Sequence, residues 1–122
     1  MPDKPTNLRE RMFDFVCNVV LFCRALSSEP GVVRQIAWQL ADAATSAGSN
    51  LEEAKAAYSR REFAVKNCIA LKEAREARLW LRIIKACDLA PATENEPLLQ
   101  EAGELVGILT ATVRTARQPQ SM

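Results

Sequence analysis

The chain has 122 residues, of which 48% are hydrophobic and 25% are charged. This length suits one domain with a sizeable core, and the composition is that of an ordinary soluble globular protein. The net charge of +1 gives no global argument for a nucleic-acid partner. Only four residues are glycine, and alanine is abundant, which favours helix over sheet. We therefore expect one all-α domain over residues 1–122.

Four helices are predicted from the apolar periodicity, at about 7–26, 31–57, 60–88 and 95–116, with a frayed tail at 117–122. The predicted N-terminal caps are Asn7 (or Thr6), Ser28, Ser59 and either Thr93 or Asn95. Because the loops between these segments are short, neighbouring helices must run antiparallel. The pattern predicts an up-down-up-down four-helix bundle.

The thiols of the chain give no sign of a metal site. There is no histidine, and the four cysteines, Cys17, Cys23, Cys68 and Cys87, form no C-x-x-C pair. Each lies in an apolar helical stretch, so we expect small buried thiols in a reducing compartment, with no metal and no cofactor. The first residues show no basic region followed by an apolar one, and the apolar run 16–26 is too short to span a bilayer. We interpret the chain as cytoplasmic.

The first two helices carry signs of close packing and of assembly. Phe13 and Val20 point away from the inner stripe that includes Val16 and Val19. A single small bundle would expose them, so we expect a subunit interface there. In the second helix most residues of the inner stripe are small. Gly48 within it costs about 1 kcal/mol relative to alanine, which indicates close approach of a neighbouring helix.

The third helix has an apolar face and a cationic face. The apolar face is formed by Phe63, Ala70, Ala74, Ala77, Leu81 and Ile84, and is widened by Val65, Ile69, Trp80 and Ile83. Opposite it lies a set of cations termed the basic row, formed by Arg61, Lys72, Arg75, Arg78, Arg82 and Lys85. Two carboxylates, Glu73 and Glu76, project instead into the widened apolar side.

Carboxylates against an apolar surface must be paired, hydrogen-bonded or protonated. One interpretation is a polar network between helices or between subunits, formed by Thr45, Ser46, Asn50, Lys66, Glu73 and Glu76. A second is that this side simply faces solvent. Acid–base catalysis by the two glutamates is a third. A carboxylate-bridged metal is excluded, because that pattern needs a Glu-x-x-His motif and the chain has no histidine.

The charges are distributed unevenly along the chain. Residues 60–85 hold eight bases and three acids, a local charge of +5, whereas residues 88–104 hold five acids and no base. Either both faces are solvated, or the basic row meets the acidic fourth helix. The functional interpretation is a surface that tracks phosphates, since arginine forks bind phosphate oxygens well. No base-reading motif is present, so such binding would be electrostatic or shape-based.

A longer pattern resembles a known family. Gln39-Leu40, Thr45-Ser46-x-Gly48-x-Asn50-x-x-Glu53-Ala54, Phe63 and the block 69–82 resemble the bacterial bundles of the 23S rRNA intervening-sequence protein family. The superfamily includes the accessory protein of diversity-generating retroelements. The resemblance implies a homopentameric ring without enzymatic activity, and a basic surface that in the retroelement relatives binds nucleic acid and the reverse transcriptase. The chain departs from the pattern at Asp42, where an arginine is expected, and at Leu51 and Leu79, where an aromatic is common.

We therefore expect a non-enzymatic, homo-oligomeric bundle that binds RNA or DNA through the basic row, as an accessory to a partner enzyme. The alternative is a protein–protein adaptor or assembly protein with no nucleic-acid role. An enzyme is disfavoured, because the chain lacks histidine, a nucleophile elbow, a phosphate-cradling glycine loop and metal-ligand spacing.

Overall fold

Residues 7–118 are described by a computed structural model, and within them the chain forms four helices and no strand. The helices are α1 (Leu8–Leu26), α2 (Val32–Lys55), α3 (Arg60–Ala86) and α4 (Ala92–Arg117). Each helix packs against its neighbours in the chain, and α1 also packs against α4, which closes the bundle. Contacts between helix ends, such as Arg9 with Glu52 and Lys85 with Glu96, fit alternating helix directions. The predicted all-α class is confirmed.

Two of the predicted helix starts have the expected caps. The Asn7 side chain accepts hydrogen bonds from the backbone N–H groups of Arg9 and Glu10, at 2.9 and 3.3 Å. Ser59 accepts from the N–H of Glu62 at 3.0 Å, and the Glu62 carboxylate accepts from the N–H of Tyr58 at 2.9 Å. These bonds satisfy amides that the first helical turn leaves without partners. The alternative cap, Thr6, lies outside the described residues.

The predicted start of α2 is wrong in its chemistry. Ser28 does not cap α2, because its hydroxyl donates to the carbonyl of Ala25 at 2.8 Å and so closes the end of α1. The helix begins at Val32, after Gly31, whose φ of 79° lies in the left-handed region that glycine adopts readily. It ends at Lys55, two residues before the predicted end.

The predicted start of α4 is also wrong. The helix begins at Ala92, three residues before the predicted start, and neither Thr93 nor Asn95 caps it. Pro97 lies inside the helix. Proline has no N–H and is common in the first helical turn, so the sequence suggests a helix start close to Pro97. Asn95 is buried, and its Nδ2 donates to the carbonyl of Leu81 in α3 at 3.3 Å. The side chain interpreted as a cap is therefore a contact between two helices.

The core combines alanines with a few large side chains. Five predicted residues of α3, namely Ala70, Ala74, Ala77, Leu81 and Ile84, are buried against residues of the other three helices that include Met12, Val19, Leu40, Ala44, Ala47, Leu105 and Leu109. Two residues predicted for the same apolar surface are exposed instead, Phe63 at the start of α3 and Val65 on its outer side.

The thiols differ from the prediction. Cys23 is buried, and burial raises its pKa to about 11, so it stays a neutral thiol at neutral pH. Cys68 is half-buried, whereas Cys17 and Cys87 are exposed. Cys17 lies on the outer side of α1, and Cys87 is the C-cap residue of α3, so neither position faces the core.

The close approach predicted at Gly48 is confirmed, and the neighbour is α1. A Cβ atom at position 48 would lie 3.1 Å from Val16 Cγ2 and 4.0 Å from Met12 Cγ. We expect Gly48→Leu to lower the free energy of unfolding by about 1–3 kcal/mol, because the added atoms would displace α1. Val16→Ala in the same chain should recover part of this loss. Urea unfolding of the two single variants and the double variant tests this, and a Gly48→Leu variant as stable as the wild type would contradict it.

An ion cluster joins α1 to α4. Arg11 donates from Nη2 to Glu101 at 2.6 Å and to Glu104 at 2.9 Å, and from Nε to Glu101 at 3.1 Å. The side chains of Arg11 and Glu101 are only 14% and 15% exposed. The hydrogen bond to the Glu101 carboxylate raises the pKa of Arg11 above its ordinary value. The cluster fixes the register of α1 on α4.

We expect Arg11→Ala to destabilise the bundle by about 2 kcal/mol, because it leaves the Glu101 carboxylate poorly solvated. This is less than for a fully buried pair, since the cluster is partly exposed. Arg11→Met combined with Glu101→Gln should cost less than the sum of the two single changes. A double-mutant cycle measured by urea unfolding gives the coupling, and strict additivity would show that the cluster contributes no pairwise stability.

Candidate nucleic-acid interface

All six side chains of the basic row are exposed along one face of α3. The periodicity of the helix brings them together, because four of the five steps between them are three or four residues. From Lys72 to Lys85 the row extends over about 20 Å at the helical rise of 1.5 Å per residue. Arg78 borders α4, since its Nε lies 3.8 Å from the position that a Cβ on Gly103 would take.

Most of the row has no counter-charge inside the bundle. Within residues 7–118, Lys85 is its only member with an ion pair, to Glu96 at 2.8 Å, and both side chains of that pair are about half exposed. An exposed pair of this kind is worth at most about 1 kcal/mol. The other five cations therefore present their charge to solvent.

The acidic fourth helix does not neutralise the row. The possibility that the basic row meets α4 is realised only at Lys85 among the described residues. The carboxylates of Glu101 and Glu104 bind Arg11 of α1 instead. The charge separation between residues 60–85 and 88–104 is thus maintained in the fold.

The helix-two members of the predicted polar network bond along their own helix. Thr45 donates its hydroxyl to the carbonyl of Ala41 at 2.8 Å, and Asn50 Nδ2 donates to the carbonyl of Ser46 at 2.9 Å. Side chains of this type commonly return to the backbone one turn earlier. Neither side chain makes a hydrogen bond to α3 among the described residues.

The helix-three members do not complete the network either. Lys66 pairs with Glu53 at 3.3 Å, whereas Glu73 and Glu76 make no hydrogen bond or ion pair with any described residue. Glu73 is half-buried and Glu76 is exposed in the single chain, so within one chain only Glu73 lies partly against packed surface. The indole N–H of Trp80 is buried and finds no partner in the described part of the chain. Within residues 7–118 these six residues are not joined in one network, although Lys66 links α3 to Glu53 of α2. The version between subunits stays a prediction.

A second surface lies on the outer side of α1 and α2, and the sequence predicts only part of it. Phe13 is 66% exposed, Val20 is also exposed as predicted, and Trp38 of α2 is 68% exposed. Phe13 lines one groove and Trp38 lines a neighbouring one, and Thr45 lines both. The sequence does contain a signal for Trp38. It directly follows Ala37 of the inner stripe, and successive helical residues point about 100° apart, so the indole lies outside that stripe. We refer to Phe13, Val20 and Trp38 as the α1–α2 face.

Two further observations concern the site. Asp42, where the family pattern suggests arginine, lies on α2 beside Trp38 and not in the basic row. Among residues 7–118 no group of three or more carboxylate or thiol side chains is arranged to hold a metal ion. None of the helices in this range has the long apolar stretch that crossing a bilayer requires.

The chain is thus a four-helix-bundle protein that exposes a basic row on α3. Comparison with known proteins gives its family. The profile of the family described as 23S rRNA-intervening sequence protein matches residues 6–111. The chain belongs to this family, and the predicted resemblance is confirmed.

A solved structure is similar to this chain, and the similarity extends over nearly the whole length of the solved protein. It is a protein with unknown function from the S23 ribosomal protein family of Bacteroides thetaiotaomicron, with a TM-score of 0.80 and 26% identity. The match covers 88% of this chain and 99% of that one. No curated protein matches the chain.

Proposed function

We propose that this chain is a non-enzymatic, cytoplasmic, homo-oligomeric bundle that binds nucleic acid electrostatically through the basic row. The observation that carries the proposal is the run of five exposed cations on α3, from Arg61 to Arg82, that have no ion pair among the described residues. A surface that needed charge only for solubility would be expected to mix both signs. Four of these five cations are arginines, whose planar forks match phosphate oxygens.

The dimensions of the row suit a phosphate backbone. One strand of a nucleic-acid helix carries a charge about every 3.4 Å along its axis, so about 20 Å of helix face meets roughly six phosphates. Contacts of this kind position the partner without reading its bases. The proposed binding is therefore broad in sequence and strong at low salt.

Assembly would multiply the row. The α1–α2 face exposes Phe13, Val20 and Trp38, and burying such side chains against a second copy is favourable. We propose that this face joins the subunits, in the pentameric ring that the family resemblance implies. Several rows held in one particle raise the apparent affinity through effective concentration, without any new contact.

A salt titration tests the proposal. Binding of a fluorescent mixed-sequence RNA, followed by anisotropy, should weaken by at least about a hundredfold between about 50 and 200 mM salt, as expected for several phosphate contacts. Failure to bind at the lower salt concentration, or an affinity that does not change with salt, would refute it.

The exposed α1–α2 face also supports a second candidate, a protein adaptor with no nucleic-acid role. In that case the chain would form oligomers of defined mass, while the RNA titration would show no binding. Both candidates predict an oligomer by light scattering, so the RNA titration distinguishes them.

A further inference from the structure

A groove of about 710 Å³ lies between the start of α3 and the last turns of α4. Its lining comes from Arg60 and Phe63 of α3 and from five residues of α4, Ile108, Ala111, Thr112, Thr115 and Ala116. It belongs neither to the α1–α2 face nor to the part of the basic row that begins at Lys72. The sequence pattern does not indicate the groove, because the periodicity of α3 places Phe63 in the core.

The groove exists because α1 is shorter than α4. Arg11, in the first turn of α1, contacts Glu104, and α4 continues from there to Arg117, thirteen residues or about 20 Å further. Ile108, Thr112 and Thr115 follow Glu104 at steps of four, four and three residues, so they extend the same face of α4. Beyond its contact with α1 this face has no covering helix in residues 7–118, and Phe63 is left 38% exposed.

Aromatic and cationic side chains occur together at this end of the bundle. Tyr58 is 98% exposed, and the extended backbone of Ser59 separates it from Arg60. Arg60 donates one N–H to the carbonyl of Gln118 at 3.0 Å, and a guanidinium has five such donors. Arg61, the first member of the basic row, directly follows Arg60, so the row begins at the same end of α3 as the groove but on the side of the helix opposite Phe63.

The charge at this end favours an anionic occupant. Arg114 and Arg117, in the last turn of α4, are exposed and have no ion pair with a described residue. Arg60 lines the groove itself, and Arg61, Arg114 and Arg117 add positive charge at the same end of the bundle outside its lining. The nearby carboxylate of Glu62 is occupied in the α3 cap. An occupant with a flat apolar body and phosphates on either side matches this chemistry.

We propose that the groove holds an unpaired base of a single-stranded nucleic acid, whose backbone continues onto the basic row. The base lies against Phe63, Tyr58 offers a second stacking surface, and Arg60 and Arg61 bind the adjoining phosphates. Stacking needs a base face that a duplex keeps covered, so this site favours single strands. The inference rests on the proposed function, since it extends the same nucleic-acid surface.

The test compares Phe63→Leu, which keeps an apolar side chain but removes the aromatic ring, with Leu79→Ala, a change at an exposed apolar residue of α3 outside the groove. The probes are oligothymidylate of about 16 nucleotides and a mixed-sequence DNA duplex of equal length, at low salt. We expect Phe63→Leu to weaken oligothymidylate binding about tenfold and duplex binding less than about twofold, while Leu79→Ala changes neither. Tyr58→Ala, at a side chain with almost no packing contacts, should weaken oligothymidylate binding about fivefold.

The outcomes separate the two proposals. If both probes bind and depend on Arg75, Arg78 and Arg82, but Phe63→Leu and Tyr58→Ala change neither affinity, the groove proposal is overturned while the proposed function stands. Equal weakening of both probes by Phe63→Leu overturns it as well. If neither probe binds the wild type, the proposed function fails, and the groove proposal with it.

Discussion

Replacing Arg75, Arg78 and Arg82 together by glutamate is expected to abolish nucleic-acid binding and to leave the fold intact. The three side chains are exposed and have no ion pair with any residue of the range 7–118, so their reversal breaks no internal ion pair. It changes the charge of the row by six units and places carboxylates where phosphates would lie. We expect the affinity for a mixed-sequence RNA at low salt to fall by more than about a hundredfold.

The control must change the net charge equally without touching α3. Arg24→Glu, Arg34→Glu and Lys55→Glu alter three exposed cations of α1 and α2. If binding reflected net charge alone, this triple variant would lose as much affinity as the first. The proposal requires that it lose several-fold less. Both variants should still unfold cooperatively in urea, the control at somewhat lower stability because Arg34→Glu removes the hydrogen bond from Arg34 Nε to the carbonyl of Ser27.

The second large effect is expected on assembly. Phe13→Glu combined with Trp38→Glu should convert an oligomer into monomers that remain folded, because both side chains are exposed in the single chain. Aromatic residues at the centre of an interface often contribute about 2 kcal/mol or more each, and a buried unpaired carboxylate adds a further cost. The dissociation constant for the subunits should therefore rise at least about a hundredfold.

Light scattering over a range of concentrations measures this change. Tyr58→Glu is the control for each single change, since it places one carboxylate at an exposed aromatic outside the α1–α2 face. If the wild-type protein is monomeric at high concentration, the α1–α2 face is not a subunit interface. A double variant that keeps the wild-type mass would place the interface elsewhere on the bundle.

The sequence is most informative where local chemistry decides the structure. The caps at Asn7 and Ser59 are confirmed because each bond joins residues two to four apart. The close approach at Gly48 could be predicted because a glycine in a stripe of alanines weakens its own helix unless a neighbouring helix packs against it. The exposure of the basic row followed from periodicity, since charged residues three or four apart share one face.

The errors arise where another helix determines the outcome. Asn95 has the composition of a cap, but its partner is the carbonyl of Leu81 in α3, which no local pattern encodes. Phe63 has the periodicity of a core residue and is exposed because α1 does not extend over it. Glu101 and Glu104 belong to an acidic stretch of the sequence, yet Arg11 of α1 binds both.

The salt dependence of binding by neutralised variants tests the central claim most directly, because it counts the phosphates that the row neutralises. Arg75→Gln, Arg78→Gln and Arg82→Gln in one chain remove three positive charges without adding repulsion. If the row binds the backbone, the slope of log affinity against log salt should become shallower by about 2–3 units, since three phosphates would keep their counterions. A slope equal to that of the wild type would show that these arginines do not meet phosphates.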